Sequence, residues 1–301
     1  MNNTHSPYLI QQLKNSIPNE VPDIWSYEIM ALWVPIVVYW VQCTIFEVLM
    51  YLKIPFFEKY RIHTSEELLN KNRVTFGKVL AMVAFQHFIQ IIFGYMLLKV
   101  EDPLVSDMKA TLAIQNTSQF ILLYLDNEQL AYFISWTIHN ILIPTIQFVV
   151  AMFIIDTHQY MLHRLGHTSK FLYKHFHSHH HRLYVPYAFG ALYNHPVEGF
   201  FLDTLGAGLA YELTRMTPFL GMILFTFSNL KTINDHCGYE FPWDPLNICF
   251  GNNGIYHDIH HQPWGIKKNF GQPFFTYWDR YLGTEFDQKD LEKYRAKAKK
   301  N

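Results

Sequence analysis

Histidine is the residue type whose number and spacing in this 301-residue chain ask for chemistry. Thirteen of the 17 histidines fall between His158 and His261. His163 and His167 form an i,i+4 pair; His177, His180 and His181 stand at i,i+3,i+4; His257, His260 and His261 repeat that spacing. On a helix these offsets put all members on one face. Imidazole suits iron, copper, zinc and nickel, and only the neutral ring ligates. One zinc ion takes about four ligands, so eight histidines at ligand spacing point to two metals rather than a single structural site. The varied residues between them argue against a low-complexity metal-buffering tract. Two single histidines sit in suggestive contexts: His195, before Pro196 and Glu198, and His236, between Asp235 and Cys237. Asp156, Glu198, Asp235 and Asp258 adjoin these groups. They are candidates to accept the second ring N–H of a ligating histidine, with surface salt bridging as the alternative. His5, His63, His87 and His139 have no partners at ligand spacing and read as surface or satisfied helix histidines.

The elements that must position these groups are apolar and long. Hydrophobic residues make up 50% of the chain and charged residues 16%, against roughly 25% charged in a typical soluble domain. That balance excludes disorder and a coiled coil. A net charge of −1 leaves no basic excess for nucleic acid. Cys43, Cys237 and Cys249 are too few and scattered for a disulfide framework, and residues 1–23 lack the apolar core of a signal peptide. Three segments, Glu28–Leu52, Lys78–Leu98 and Leu130–Ile155, meet the ~20-residue length of a membrane span. A fourth, Gly199–Leu230, is broken at Thr217-Pro218 and reads as a re-entrant helical hairpin. Lysines and arginines from Lys53 to Lys78 follow the first span, whereas the loop after the second is acidic. The positive-inside rule therefore places the N-terminus in the lumen and everything after Ile155 in the cytoplasm. Asn2 and Asn116 head glycosylation sequons on the predicted lumenal side. Lys297 and Lys299 match a K-x-K-x-x pattern for retrieval to the endoplasmic reticulum, a solvated basic tail being the alternative. The fold class is an all-α integral membrane protein: about three transmembrane helices, the hairpin, and a cytoplasmic helical histidine-box domain. The expected divisions are a lumenal segment at 1–27, a transmembrane region at 28–155, a catalytic domain at 156–290 that includes hairpin 199–230, and a basic tail at 291–301. No P-loop, H-E-x-x-H or complete dinucleotide fingerprint occurs, so electrons must come from outside the chain.

The text around the histidines resembles that of a known family. The residues concerned are Asp156-Thr, His163-Arg-Leu, Phe176-His-Ser, His180-His-Arg-Leu-Tyr-Val-Pro-Tyr-Ala, Pro196-Val-Glu-Gly-Phe, Lys231-Thr-Ile-Asn-Asp-His-Cys-Gly-Tyr, Tyr256-His-Asp-Ile-His-His-Gln and Gln272-Pro-Phe-Phe-Thr-Tyr-Trp-Asp279. Over about 156–284 the chain resembles the fatty acid hydroxylase/sterol desaturase superfamily of membrane di-iron enzymes, and within it the sphinganine C4-hydroxylases. The resemblance implies two iron ions held by His163, His167, His177, His180, His181, His236, His257, His260 and His261. His195 matches the superfamily's H-P-x-E element and joins them as a tenth candidate ligand, although some subfamily members carry Asn there. His158, His175 and His179 stay unassigned. The resemblance further implies dioxygen-dependent hydroxylation of a sphingoid base or its ceramide at carbon 4. Electrons would come from NAD(P)H through a reductase and a b-type cytochrome; no cytochrome signature occurs in this chain, so that protein would be a partner. A sterol oxidase, desaturase or alkylglycerol monooxygenase is the alternative within the superfamily. A histidine-rich metal transporter is the alternative outside it, and it would need paired ligands inside the spans. Hairpin 199–230 and the aromatic run Phe270–Tyr281 are the expected walls of a lipid channel.

Overall fold

The structure, a computed structural model, describes residues 23–98, 102–287 and 289. Most of the expected lumenal segment, the sequon at Asn2 and the tail with Lys297 and Lys299 lie outside the described residues. Among the described residues three helices are long and apolar enough to cross a membrane. The first, α1 (Tyr27–Leu52), starts where Ser26 Oγ accepts the Ile29 N–H and stops where Lys53 enters the left-handed region. Its exposed face repeats Val37, Val41, Ile45 and Val48, while Tyr39, Cys43, Phe46 and Met50 are buried. A helix apolar on both faces suits a lipid neighbour on one side and protein on the other. A Thr64/Glu67 capping box opens the short α2 (Ser65–Lys71), and α3 (Phe76–Met96) follows as the second span.

The acidic stretch after α3, read from sequence as a lumenal loop, contains a further helix. This is α4 (Pro103–Leu122), started by Asp102 capping the Leu104 N–H and by Pro103 in the first turn. Asp107, Lys109, Gln115 and Asn116 interrupt any apolar run in it, so hydropathy does not disclose it. Ser135 Oγ donates to the Ile114 carbonyl and Thr117 bonds His139, which fastens α4 to the next helix.

That next helix, α5, is continuous over Glu128–Thr168. At about 1.5 Å per residue it is roughly 60 Å long, twice the hydrocarbon thickness. Pro144 lacks a backbone donor, and a π-helical turn at Ile138–Leu142 absorbs the mismatch just before it. The expected boundary at Ile155 is therefore not a break: the surplus length carries Asp156, His163 and His167 to the far end of the same rod.

The expected hairpin is formed by α6 (196–214) and α7 (Pro218–His236), joined at Arg215, which is left-handed. Phe219 at its tip packs against Tyr27 at the start of α1, ring centroids 5.1 Å apart. The hairpin thus reaches the level at which the first span begins and returns to the histidine face, with α7 lying along α1. Two buried clusters hold the bundle. One joins Tyr39, Cys43, Val79 and Val83 to the 183–193 loop; the other joins Met152 and Ile155 to Ala210, Leu224 and Phe274. Beyond α7 come α8 (Gly254–His261) and α9 (Tyr277–Tyr281). Among the described residues there is no strand, only an antiparallel bridge between Arg61 and Tyr239.

Candidate metal centre

Four short pieces deliver the histidines: the C-terminal turns of α5, a 3-10 turn at His177–Arg182, the last residue of α7, and α8. The nine rings fall into two buried groups. His163, His167, His177, His181 and His260 make the first; His180, His236, His257 and His261 make the second. In each group the candidate ligand atoms lie within 4.8 Å of one another. The sequence triads do not stay together. His177 and His181 go to the first group and His180 to the second; His257 and His261 go to the second and His260 to the first. Each i,i+4 pair serves one site and the intervening histidine reaches across to the other. The two groups share a wall, with the His181 and His261 rings 4.9 Å apart and those of His180 and His181 5.6 Å apart.

The outer ring nitrogens identify the tautomers. Nδ1 of His163, His180, His236, His260 and His261 faces the carbonyls of Phe270, Tyr193, Thr232, Lys268 and Leu183 at 2.7–3.2 Å. A carbonyl only accepts, so Nδ1 carries the hydrogen and Nε2 keeps its lone pair. His177 Nδ1 donates to Glu198 Oε1 at 2.5 Å. The inner nitrogens then face one another. Nε2 of His177, His181 and His167 form a triangle with sides of 2.6–3.0 Å, and His257 Nε2 lies 3.0 and 3.1 Å from those of His236 and His261. His260 Nε2 is buried with no hydrogen-bond partner. Two facing Nε2 lone pairs at this spacing repel unless a proton or a cation lies between them, and inward donors in sets of five and four fit one metal ion per group.

Charge agrees with that fit. Burial pushes the His177 and His236 rings down to about 3 and the His180 ring to about 4. His181, His257, His260 and His261 are held well below the ordinary histidine range, by burial first and by neighbouring imidazoles second. The rings are therefore neutral near pH 7, the form that ligates. Burial also pushes the Glu198 carboxyl up to about 7.

Of the four acidic candidates, only Glu198 touches a grouped histidine. Asp156 instead accepts the backbone N–H groups of Phe274 and Phe275. Asp235 pairs with Lys231 and accepts from Asn252. Asp258 points away from its neighbour His257, since i,i+1 residues do not share a helix face, and bonds His63 at 2.8 Å. His195 is outside both groups: it caps α6, with Nδ1 accepting the Val197 N–H at 3.2 Å. His87 accepts from Trp40 Nε1 and His139 bonds Thr117, so the two span histidines have partners.

A cavity of about 460 Å3 runs between α1, α3, α5, α6 and α7, and its lining includes Gln159, one turn before His163, and Thr232, whose carbonyl holds the His236 ring. Its lining residues on α7 extend from Pro218 to Thr232, about 20 Å of helix. The hairpin forms a wall, and α1 and α3 supply most of the remainder, from Glu28–Ile36 and Gln90–Leu98, with Ile155 and Gln159 of α5. The aromatic run contributes only Pro273; Phe270 packs instead on His163, His167 and His260. Sequence reasoning missed Gln159 and Asp203, polar residues that line the cavity. Their signal was present as polar residues inside apolar helices.

Fold and site together define a class: a membrane-spanning helical protein with two buried histidine groups, each able to hold a metal ion, next to a largely apolar cavity. The chain belongs to the fatty acid hydroxylase family. Residues 148–284 match the model of that family. The chain is 45% identical over 283 residues to the sphingolipid C4-hydroxylase of Schizosaccharomyces pombe, covering 93% of this chain and 96% of the relative. It is 41% identical over 300 residues to the sphingolipid C4-hydroxylase of Saccharomyces cerevisiae, covering 100% of this chain and 82% of the relative. It is 42% identical over 259 residues to sphinganine C4-monooxygenase 2 of Arabidopsis thaliana, covering 86% and 88%. No solved structure matches the chain.

Proposed function

We propose that this chain hydroxylates a sphingoid long-chain base at carbon 4, using two iron ions held by the two histidine groups. The observation that carries the reading is the pairing of five and four neutral, buried imidazoles with an elongated cavity beside them. Iron bound there supplies the activation of dioxygen that attack on an unactivated C–H bond requires. The chain's own residues do the rest. Five backbone carbonyls and Glu198 hold six rings in the tautomer that points Nε2 inward. Phe270 closes the first group with an apolar ring. The cavity walls hold one methylene of the alkyl chain at the site, where a small misplacement oxidises the wrong carbon.

One oxygen atom of dioxygen enters the C–H bond and the other leaves as water, consuming two electrons and two protons. The electrons come from NAD(P)H through a reductase and a membrane-bound b-type cytochrome, which are partners. The protein resides in the endoplasmic reticulum membrane with residues 156–290 as a cytoplasmic catalytic unit and 28–155 as the membrane region. The loop charges around the first two spans support that orientation. The test is mass spectrometry of long-chain bases from cells with and without the gene. Trihydroxy bases depend on the intact gene and disappear in membranes carrying His180→Ala or His260→Ala. Undiminished trihydroxy bases in a well-expressed variant would contradict the assignment.

A further inference from the structure

A carboxylate in the cavity wall takes its hydrogen bonds from neutral amides. Asp203 lines the cavity on α6, and both of its oxygens are engaged by amides: Oδ2 accepts from Asn194 Nδ2 at 3.0 Å and Oδ1 from Gln159 Nε2 at 3.3 Å. The two amides tie it to the two histidine groups. Gln159 lies one helical turn before His163 on α5. Asn194 follows Tyr193, whose carbonyl holds the His180 ring. Among the described lining residues the only Lys or Arg is Arg215, at the hairpin tip with Glu28 and Glu212. That end of the cavity thus has both signs of charge, whereas among the described lining residues toward the histidines Asp203 is the charged one. A carboxylate enclosed by protein without a cation is unfavourable, and a cationic ligand relieves it through a charge-assisted hydrogen bond.

We infer that Asp203 is the positioning residue that receives the substrate's ammonium group. The inference rests on the reading of the site as a long-chain-base hydroxylase. A free long-chain base carries its ammonium on carbon 2, two bonds from the carbon to be hydroxylated. An anion anchored to both histidine groups therefore fixes which methylene is presented, and the alkyl tail fills the apolar length of the cavity toward the hairpin tip. An N-acylated base has no ammonium and gains nothing from the charge.

The experiment compares sphinganine with N-acetylsphinganine, using full-length wild-type protein, Asp203→Asn and Asp203→Glu in membranes with their electron donors, and measures iron content alongside. With Asp203→Asn, kcat/KM for sphinganine is expected to fall about a hundredfold, while that for the N-acetyl compound changes less than about threefold and iron content is unchanged. Asp203→Glu keeps the charge but lengthens the arm, so part of the hydroxylation moves to a neighbouring carbon. Equal effects of Asp203→Asn on both substrates, or none on either, would overturn the role. So would a failure of Asp203→Glu to disturb the site of hydroxylation if Asp203→Asn does not accumulate. Iron-loaded wild-type protein that makes no trihydroxy product from either compound would overturn the underlying reading, and the inference with it.

Discussion

Removing the Glu198 carboxylate isolates one histidine group from the other. Glu198 Oε1 accepts the His177 Nδ1–H at 2.5 Å, and the His177 side chain is 2% exposed and that of Glu198 11%. Glu198→Ala leaves that N–H buried without an acceptor, a loss of about 1–3 kcal/mol. It also makes Nε2 a poorer donor, and such outer partners are worth about 10–100-fold in metal affinity, or roughly 1.4–2.7 kcal/mol at 1.36 kcal/mol per tenfold. Glu198→Gln keeps an acceptor without the charge and should fall near the lower figure. No ring of the second group is bonded to Glu198. The assay is stepwise chelation of iron-loaded protein in detergent. Wild-type protein should release its ions over a narrow range of chelator, whereas Glu198→Ala should release one ion at about 10–100-fold lower chelator and the other as before. Release of both ions together at the wild-type concentration would refute the reasoning.

Three further outcomes follow from other contacts. Lys231 is fully buried, paired with Asp235 and donating to the Asn252 carbonyl. Lys231→Ala strands the Asp235 charge and should destabilise the protein by about 3–5 kcal/mol in thermal unfolding, with part recovered in Lys231→Met/Asp235→Asn; unchanged melting would contradict the pairing. The hydrogen bond to Asp258 is the first cause that raises the His63 pKa above its ordinary 6.5. The stabilisation is therefore complete below that value and is lost as pH rises through the higher, folded value. His63→Gln should accordingly lower the melting temperature at about pH 5.5 and much less at about pH 8.5; the reverse order would contradict the sign. His195 acts as a helix cap, a role Asn fills equally well. His195→Asn should keep full metal content and change stability by less than about 0.5 kcal/mol, and loss of an ion would return His195 to the ligand set.

The spans, the hairpin and eight of the converging histidines were legible because each rests on a local signal, either apolar length or fixed ring spacing, whereas His236 stands alone in sequence and was reached through the resemblance. Other features depend on tertiary contacts that spacing does not encode. The i,i+3,i+4 triads look like single faces, yet His180 and His260 leave their neighbours because the turn at His177–Arg182 is 3-10 and α8 lies between the two groups. Asp156, Asp235 and Asp258 stand next to histidines in sequence, but their carboxylates are taken up by backbone N–H groups, Lys231 and His63. Helix α4 is not legible in hydropathy because polar residues interrupt its apolar run, and it is fastened by its packing on α5. Asp203 is a charge within an apolar segment, and only the fold places it in the cavity wall.

Metal content per chain tests the two-site arrangement most directly. Full-length protein purified with iron present should hold two ions. His180→Ala and His181→Ala, which alter adjacent residues assigned to different groups, should each hold about one. Wild-type protein with a single ion, or either variant losing both or neither, would contradict the account.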